Sequence, residues 1–255
     1  CLNYGLNYGD KNKGHRANGF TTDGGFAEFA INHINTLVHV PDDMSDEEAT
    51  LIVTAGTAMY GLDVMGGLIA GKSLLVTGPG PIGLMGVAVG KTLGADPVIL
   101  TGTRDERLEL GKKLGADYVI NIRKEDPIQK VKDLCGGYGA HYILECSGAL
   151  TALNDASKMV RRGGRICLAA FPPEPVMVDV SALVRNNIYV FGIRGEGQSA
   201  THRAASLMAQ KRFDAKLLHT HTFPLEEVPT AIKYARERLE GAIKVVVKNK
   251  RLEPV

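Results

Sequence analysis

From Lys72 onward, apolar and polar positions alternate between two kinds of run. Short, mostly apolar segments stand at Ser73–Thr77, Pro97–Thr101, Tyr118–Asn121, His141–Glu145, Arg165–Ala170 and Ile188–Ile193. Each has the length of a strand. Between the first five lie segments with the apolar spacing of helices: Ile82–Leu93, Asp105–Leu114, Asp126–Leu134 and Ala149–Val160. Strands apolar on both faces, alternating with helices, predict a parallel sheet covered on both sides. With right-handed crossovers this is an α/β, doubly wound sheet of about six strands.

The flanks read differently. Residues 1–35 are rich in Gly, Asn, Asp and Lys, with two short near-repeats, Leu2-Asn3-Tyr4-Gly5 and Leu6-Asn7-Tyr8-Gly9, and are expected to be loop. Phe26–Ile31 and Thr36–Val40 are expected as short strands, followed by a turn at Pro41–Ser45 and a helix starting beside Glu47 and Glu48. After Gly197 the alternation gives way to a helix (Thr201–Lys211), a strand (His219–Phe223), a helix (Leu225–Leu239) and a strand (Ala242–Lys248). The two ends of the chain are expected to pack together as a second, discontinuous domain.

Composition narrows the function. Of 255 residues, 44% are hydrophobic and 23% charged, enough for a sizeable core. A net charge of +2 without a basic run or an arginine–aromatic stripe argues against nucleic acid or a membrane surface as partner. No apolar run reaches the ~18 residues of a membrane span. Four cysteines (Cys1, Cys135, Cys146 and Cys167) form no CxxC pair, which fits a reducing, cytoplasmic setting; the start shows no signal-peptide pattern.

The chemistry-bearing motif is Gly78-Pro79-Gly80-Pro81-Ile82-Gly83, a G-x-G-x-x-G between an expected strand and an expected helix. In that context Gly78 permits the tight turn, Gly80 lets the backbone approach a pyrophosphate, and Gly83 lets helix and strand pack closely. The helix N-terminus then meets the phosphates with unpaired N–H groups. Pro81 suits the first helical turn but donates nothing, which leaves Ile82 as donor. This is the Rossmann arrangement. A carboxylate for the ribose 2′-hydroxyl is expected about twenty positions on. Gly102-Thr103-Arg104 stands there instead. An acid would repel a 2′-phosphate, whereas Arg104, beside the Thr103 hydroxyl, can bind one, so NADP is expected over NAD.

These residues resemble the medium-chain dehydrogenase/reductase family, in its zinc-type alcohol, polyol and threonine dehydrogenase branch. Further markers are Gly24–Phe29, Leu37–Pro41, Arg107–Leu110 with Leu114–Asp117, Glu145-Cys146-Ser147-Gly148, Gly163–Arg165 and Gly192–Gly195. The resemblance implies a dinucleotide-binding domain over 56–196 inserted in a catalytic domain made of 1–55 and 197–255. It implies that Ser147, Ala170 and Ile193 line the adenine and nicotinamide sites and that Lys244 stands near the pyrophosphate. It also implies hydride transfer between NADP (or NAD) and a small alcohol or its carbonyl, zinc assistance, and a homodimer or homotetramer.

Two departures matter. Cys1 resembles the fourth cysteine of the family's structural-zinc lobe, and a tetrahedral site needs three partners that would lie upstream. The position that usually supplies a catalytic-zinc ligand before the first Rossmann strand falls on Thr54, whose neutral hydroxyl is a poor ligand. A zinc-free quinone or enoyl reductase and a non-catalytic NADP-binding protein are therefore kept as alternatives. His219 and His221 share a strand face, but two imidazoles without a third ligand make a weak metal site.

Overall fold

The computed structural model describes residues 18, 19, 22–32, 34, 37, 39–67 and 69–249. Cys1 and the two near-repeats lie outside them. The chain divides into two compact units, one from Cys1–His39 with Thr220–Val255 and one from Val40–His219.

The larger unit carries helices α1 (Asp46–Ala49) and α2 (Ile52–Val64), then β1 (Leu74–Thr77), α3 (Pro81–Thr92), β2 (Val98–Gly102), α4 (Asp105–Lys113), β3 (Tyr118–Asn121) and α5 (Pro127–Leu134). It continues with β4 (Ala140–Glu145), α6 (Ala152–Met159), β5 (Val160–Leu168), α7 (Val180–Arg185), β6 (Tyr189–Gly192) and α8 (Gln198–Ala209). The six strands form one parallel sheet in the order β3-β2-β1-β4-β5-β6. The doubly wound sheet is thus as expected, and the order reverses between β1 and β4. At such a reversal the crossovers leave to opposite faces and open a crevice beyond the strands' carboxyl ends.

Side-chain alternation explains why the strands are apolar throughout. Leu75, Ile99 and Ile143 join Val131 of α5 and Ala156 and Met159 of α6 in one buried cluster. Their neighbours Leu74, Val76, Leu100 and Leu144 point the other way, where α2, α3 and α4 come close through glycines. A Cβ on Gly86 would lie 2.7 Å from Leu144, one on Gly90 2.3 Å from Leu74, and one on Gly111 2.2 Å from Leu100. Each such leucine, fully buried, contributes about 1.5–3 kcal/mol.

Helix starts follow local chemistry. Ser45 accepts from the Glu48 N–H, Asp126 from the Ile128 N–H ahead of Pro127, and Asp179 from the Ala182 N–H. The helix expected from Ser45 is only one turn, and α2 then forms without having been expected, because its residues are apolar around most of its circumference and show no amphipathic period. Strand β5 begins five residues earlier than expected, at Val160 rather than Arg165, with an irregularity in its pairing to β4.

The smaller unit pairs β7 (His219–Pro224) with β8 (Lys244–Lys248), with α9 (Val228–Glu237) between them in sequence. The Asn249 side chain donates to the Ala27 carbonyl at 2.6 Å, joining the chain's two ends within this unit. The strand expected over Phe26–Ile31 does not form: these residues run as bends and irregular chain, with Phe26, Phe29 and Ile31 exposed. A strand needs a neighbour for its ladder, and none pairs with this segment among the described residues. The expected strand at Thr36–Val40 falls partly outside them. No helix among the described residues is long and apolar enough to cross a membrane.

Candidate dinucleotide site

The glycine-rich turn sits where β1 ends, at the reversal point. Gly78 has φ +90°, a left-handed conformation that disfavours any side chain, and its N–H donates to the Thr101 carbonyl of β2 at 2.9 Å. A Cβ on Gly78 would lie 2.8 Å from the Ser147 Cα, so the turn rests directly on the backbone that follows β4. A Cβ on Gly83 would lie 2.0 Å from the Gly78 carbonyl oxygen, so only glycine lets α3 start this close to the turn. Gly80 differs from both. It is the N-cap of α3 at φ −83°, and a Cβ there meets nothing within 4 Å. Its glycine therefore serves no intramolecular packing and leaves open the approach to the helix N-terminus. Pro81 occupies the first helical position, and Ile82 and Gly83 follow with N–H groups that have no intrahelical acceptor.

The end of β2 supplies the second half of the site. Gly102 is held tight: a Cβ there would lie 2.6 Å from the Pro79 ring. Thr103 and Arg104 follow, half-buried, with Arg104 as the N-cap of α4. The Arg104 guanidinium has no hydrogen-bond or ion-pair partner among the described residues. The adjacent carboxylate, Asp105, is already engaged. It accepts from Lys124 and from Asn121, each at 2.7 Å, and those hydrogen bonds hold its pKa below the usual carboxylate value. One helical turn on, Arg107 donates to the Pro79 carbonyl at 3.3 Å, tying α4 to the glycine-rich turn.

The other expected residues are placed as follows. Ser147 lies under Gly78, but its hydroxyl is turned to the buried Glu145 carboxylate. Ala170 follows β5, and a Cβ on Gly148 would touch it at 3.4 Å, so the loops after β4 and β5 meet. Ile193 follows β6 with its side chain buried against α2, where a Cβ on Gly61 would approach it to 3.4 Å. Lys244 is half-buried on β8 in the smaller unit, and burial lowers its pKa from the usual lysine value. The larger unit thus brings together Gly78, Gly80, Pro81, Ile82, Gly83, Thr103, Arg104, Ser147 and Ala170 at the carboxyl edge of the sheet. Glu145 and Arg107 are absent from the expected site; an acid ending an apolar strand and an arginine one turn past the helix start were the available signals.

A sequence model of the family described as zinc-binding dehydrogenase matches residues 81–210, half of the chain. The chain belongs to that family. This zinc-binding dehydrogenase chain is 40% identical over 193 residues to the L-threonine 3-dehydrogenase of Pyrococcus horikoshii, covering 75% of this chain and 55% of that protein. It is 34% identical over 230 residues to the same enzyme of Bacillus licheniformis, covering 89% and 66%. It therefore spans between about half and two thirds of these relatives' length. Among solved structures, an alcohol dehydrogenase of Thermotoga maritima superposes with a TM-score of 0.77 at 30% identity, over 83% of this chain and 59% of that one. A Sinorhizobium meliloti protein bound to NADP shares the fold, with a TM-score of 0.84 at 23% identity over 91% of this chain and 68% of that one.

The described residues do not fit a zinc ion. No three His, Cys, Asp or Glu side chains among them are grouped to hold a metal, and Thr54 stands half-buried in α2. His219 and His221 share one face of β7, and the His221 ring stacks on Phe223 with its edge toward Tyr234. The enclosed thiols are held in their neutral form: burial, then Glu145, pushes Cys146 well up, and burial brings Cys167 to about 12.

Proposed function

We propose that this chain binds a nicotinamide dinucleotide, NADP in preference to NAD, and belongs to an oxidoreductase that moves a hydride between that cofactor and an alcohol or polyol, or its carbonyl. The observation that carries this reading is the open approach over Gly80 after β1, together with an Arg104 guanidinium, after the neighbouring β2, that has no partner among the described residues. The residues present fit the cofactor: donors of the α3 N-terminus for the pyrophosphate, and a half-buried cation where an acid would bar a 2′-phosphate. When bound, the nicotinamide supplies a ring carbon that accepts or gives the hydride, while the hydroxyl proton leaves or returns. The protein's part is to hold the dinucleotide across the crevice and fix which face of the ring the substrate meets.

The segment 56–196 is the cofactor domain on this reading, with 1–55 and 197–255 contributing to the catalytic part. The setting is cytoplasmic and the substrate a small molecule. A homodimer or homotetramer is supported by β6, an edge strand on which Tyr189 and Val190 are exposed, next to the exposed Val180 and Val184 of α7. Calorimetric titration of the chain with NADPH and NADH is the test. Tighter binding of NADPH at low salt is expected, and a folded sample that binds neither refutes the reading. Thr54 favours one second reading, a zinc-free quinone or enoyl reductase. Turnover of a quinone with NADPH but of no alcohol with NADP would establish it.

A further inference from the structure

Glu145 ends β4 directly opposite Thr77, the last residue of β1, at the point where the strand order reverses. It is 2% exposed, and its hydrogen-bond partners among the described residues are all donors. The Thr77 hydroxyl donates to Oε1 at 3.2 Å and the Ser147 N–H at 2.6 Å, and the Ser147 hydroxyl donates to the same oxygen. The Gly148 N–H reaches Oε1 at 3.2 Å and Oε2 at 3.3 Å. A buried acceptor-only group thus gathers the end of β1 and two successive residues after β4. Those residues are the ones on which the site is seated: Ser147 lies under Gly78, and Gly148 abuts Ala170 and the Phe171 carbonyl.

We propose, building on the dinucleotide reading of this turn, that Glu145 is a positioning residue of the cofactor site. Its carboxylate fixes the Ser147–Gly148 backbone, and that backbone sets where the glycine-rich turn presents its N–H groups. Glutamine is the informative replacement. Its carbonyl can take over Oε1 and keep the four donors there, but its amide then replaces Oε2 beside the Gly148 N–H, donor against donor, and the charge assistance is lost.

The test is a double-mutant cycle in the full chain, read as the dissociation constant of whichever of NADPH and NADH the wild type binds more tightly. Glu145→Gln is expected to weaken binding about five- to tenfold, with melting still cooperative. Ser147→Ala is expected to weaken it about threefold, and the double variant to match Glu145→Gln within about twofold, because Glu145 acts through Ser147. Glu109→Gln, which removes an exposed carboxylate of α4, should bind as wild type. If Glu145→Gln melts lower but binds with the wild-type constant, the residue is structural only and the proposal fails. Additive effects of the two substitutions overturn it as well. Should Glu145→Gln not fold, Thr77→Val and Ser147→Ala form the same cycle from the donor side, and additivity there overturns it too. A wild type that binds neither dinucleotide removes the underlying reading; wild-type binding with an unaffected Glu145→Gln removes only this one.

Discussion

Alanine at Gly80 should leave stability almost unchanged and alanine at Gly83 should lower it sharply, although both glycines belong to one motif. At Gly80 the backbone is extended (φ −83°, ψ 178°), and a Cβ meets nothing within 4 Å. Alanine is a poorer N-cap than glycine by roughly 0.5–1 kcal/mol. Against that, it restricts the unfolded chain, worth about 0.4–1 kcal/mol in the other direction. Stability should therefore change by less than about 0.5 kcal/mol. The methyl group does, however, occupy the approach to the α3 N-terminus, so dinucleotide binding should weaken at least tenfold, about 1.4 kcal/mol. At Gly83 the new Cβ would lie 2.0 Å from a backbone carbonyl oxygen, far inside the 3.0 Å that real Cβ contacts respect. Either α3 or the turn must move, which costs about 3 kcal/mol or more. For a unit of this size that lowers the melting temperature by about 6–12 °C. Differential scanning calorimetry and dinucleotide titration of both variants give the comparison. A Gly80→Ala variant that binds within twofold of wild type would falsify the placing of the pyrophosphate over that residue.

Three further outcomes follow from the same geometry. Arg104→Ala should weaken NADPH binding about tenfold and leave NADH nearly unchanged, since one charge-assisted hydrogen bond is worth about 1.5–3 kcal/mol and salt screens part of it; equal losses for both cofactors would show that Arg104 does not read the 2′-phosphate. Gly102→Asp, which by sequence looks like the simple exchange toward NAD, should instead weaken both cofactors, because its Cβ runs into the Pro79 ring; a clean inversion of preference in titrations would contradict the packing. His141 has its Nε2 at 2.6 Å from an Arg161 guanidinium nitrogen, and burial, then Arg161 and Lys72, lowers its pKa from the usual histidine value. Its stabilising contribution is present above the unfolded histidine value of about 6.5 and is lost as pH falls through the lower folded one. Melting temperatures of His141→Gln should accordingly vary less between pH 7 and pH 5 than those of wild type, and identical slopes would count against this.

The centre of the sheet was legible in the residues because β1 and β2 are apolar on both faces and buried throughout, so local pattern and final burial agree there; β6 reads equally apolar yet stays mostly exposed, because it stands at the edge of the sheet. The role of Gly78-Pro79-Gly80-Pro81-Ile82-Gly83 was legible for a related reason: a left-handed turn, a close helix start and an open N-terminus each demand a residue type at a set spacing. Helix α2 was not, since a segment apolar around most of its surface carries no period to distinguish it. Nor was the absence of a strand at Phe26–Ile31, because pairing depends on a neighbour that the segment itself does not encode. Only the tertiary structure separated the three glycines, leaving Gly80 open while Gly78 and Gly83 are enclosed. It alone turned the Ser147 hydroxyl from an expected cofactor contact into a donor to Glu145, and it alone showed Asp105 occupied by Asn121 and Lys124 while Arg104 has no partner among the described residues. Chain pattern reports what each residue needs, such as burial, a turn or a cap. Which of several nearby groups satisfies that need depends on side chains far apart in sequence meeting at the sheet's carboxyl edge.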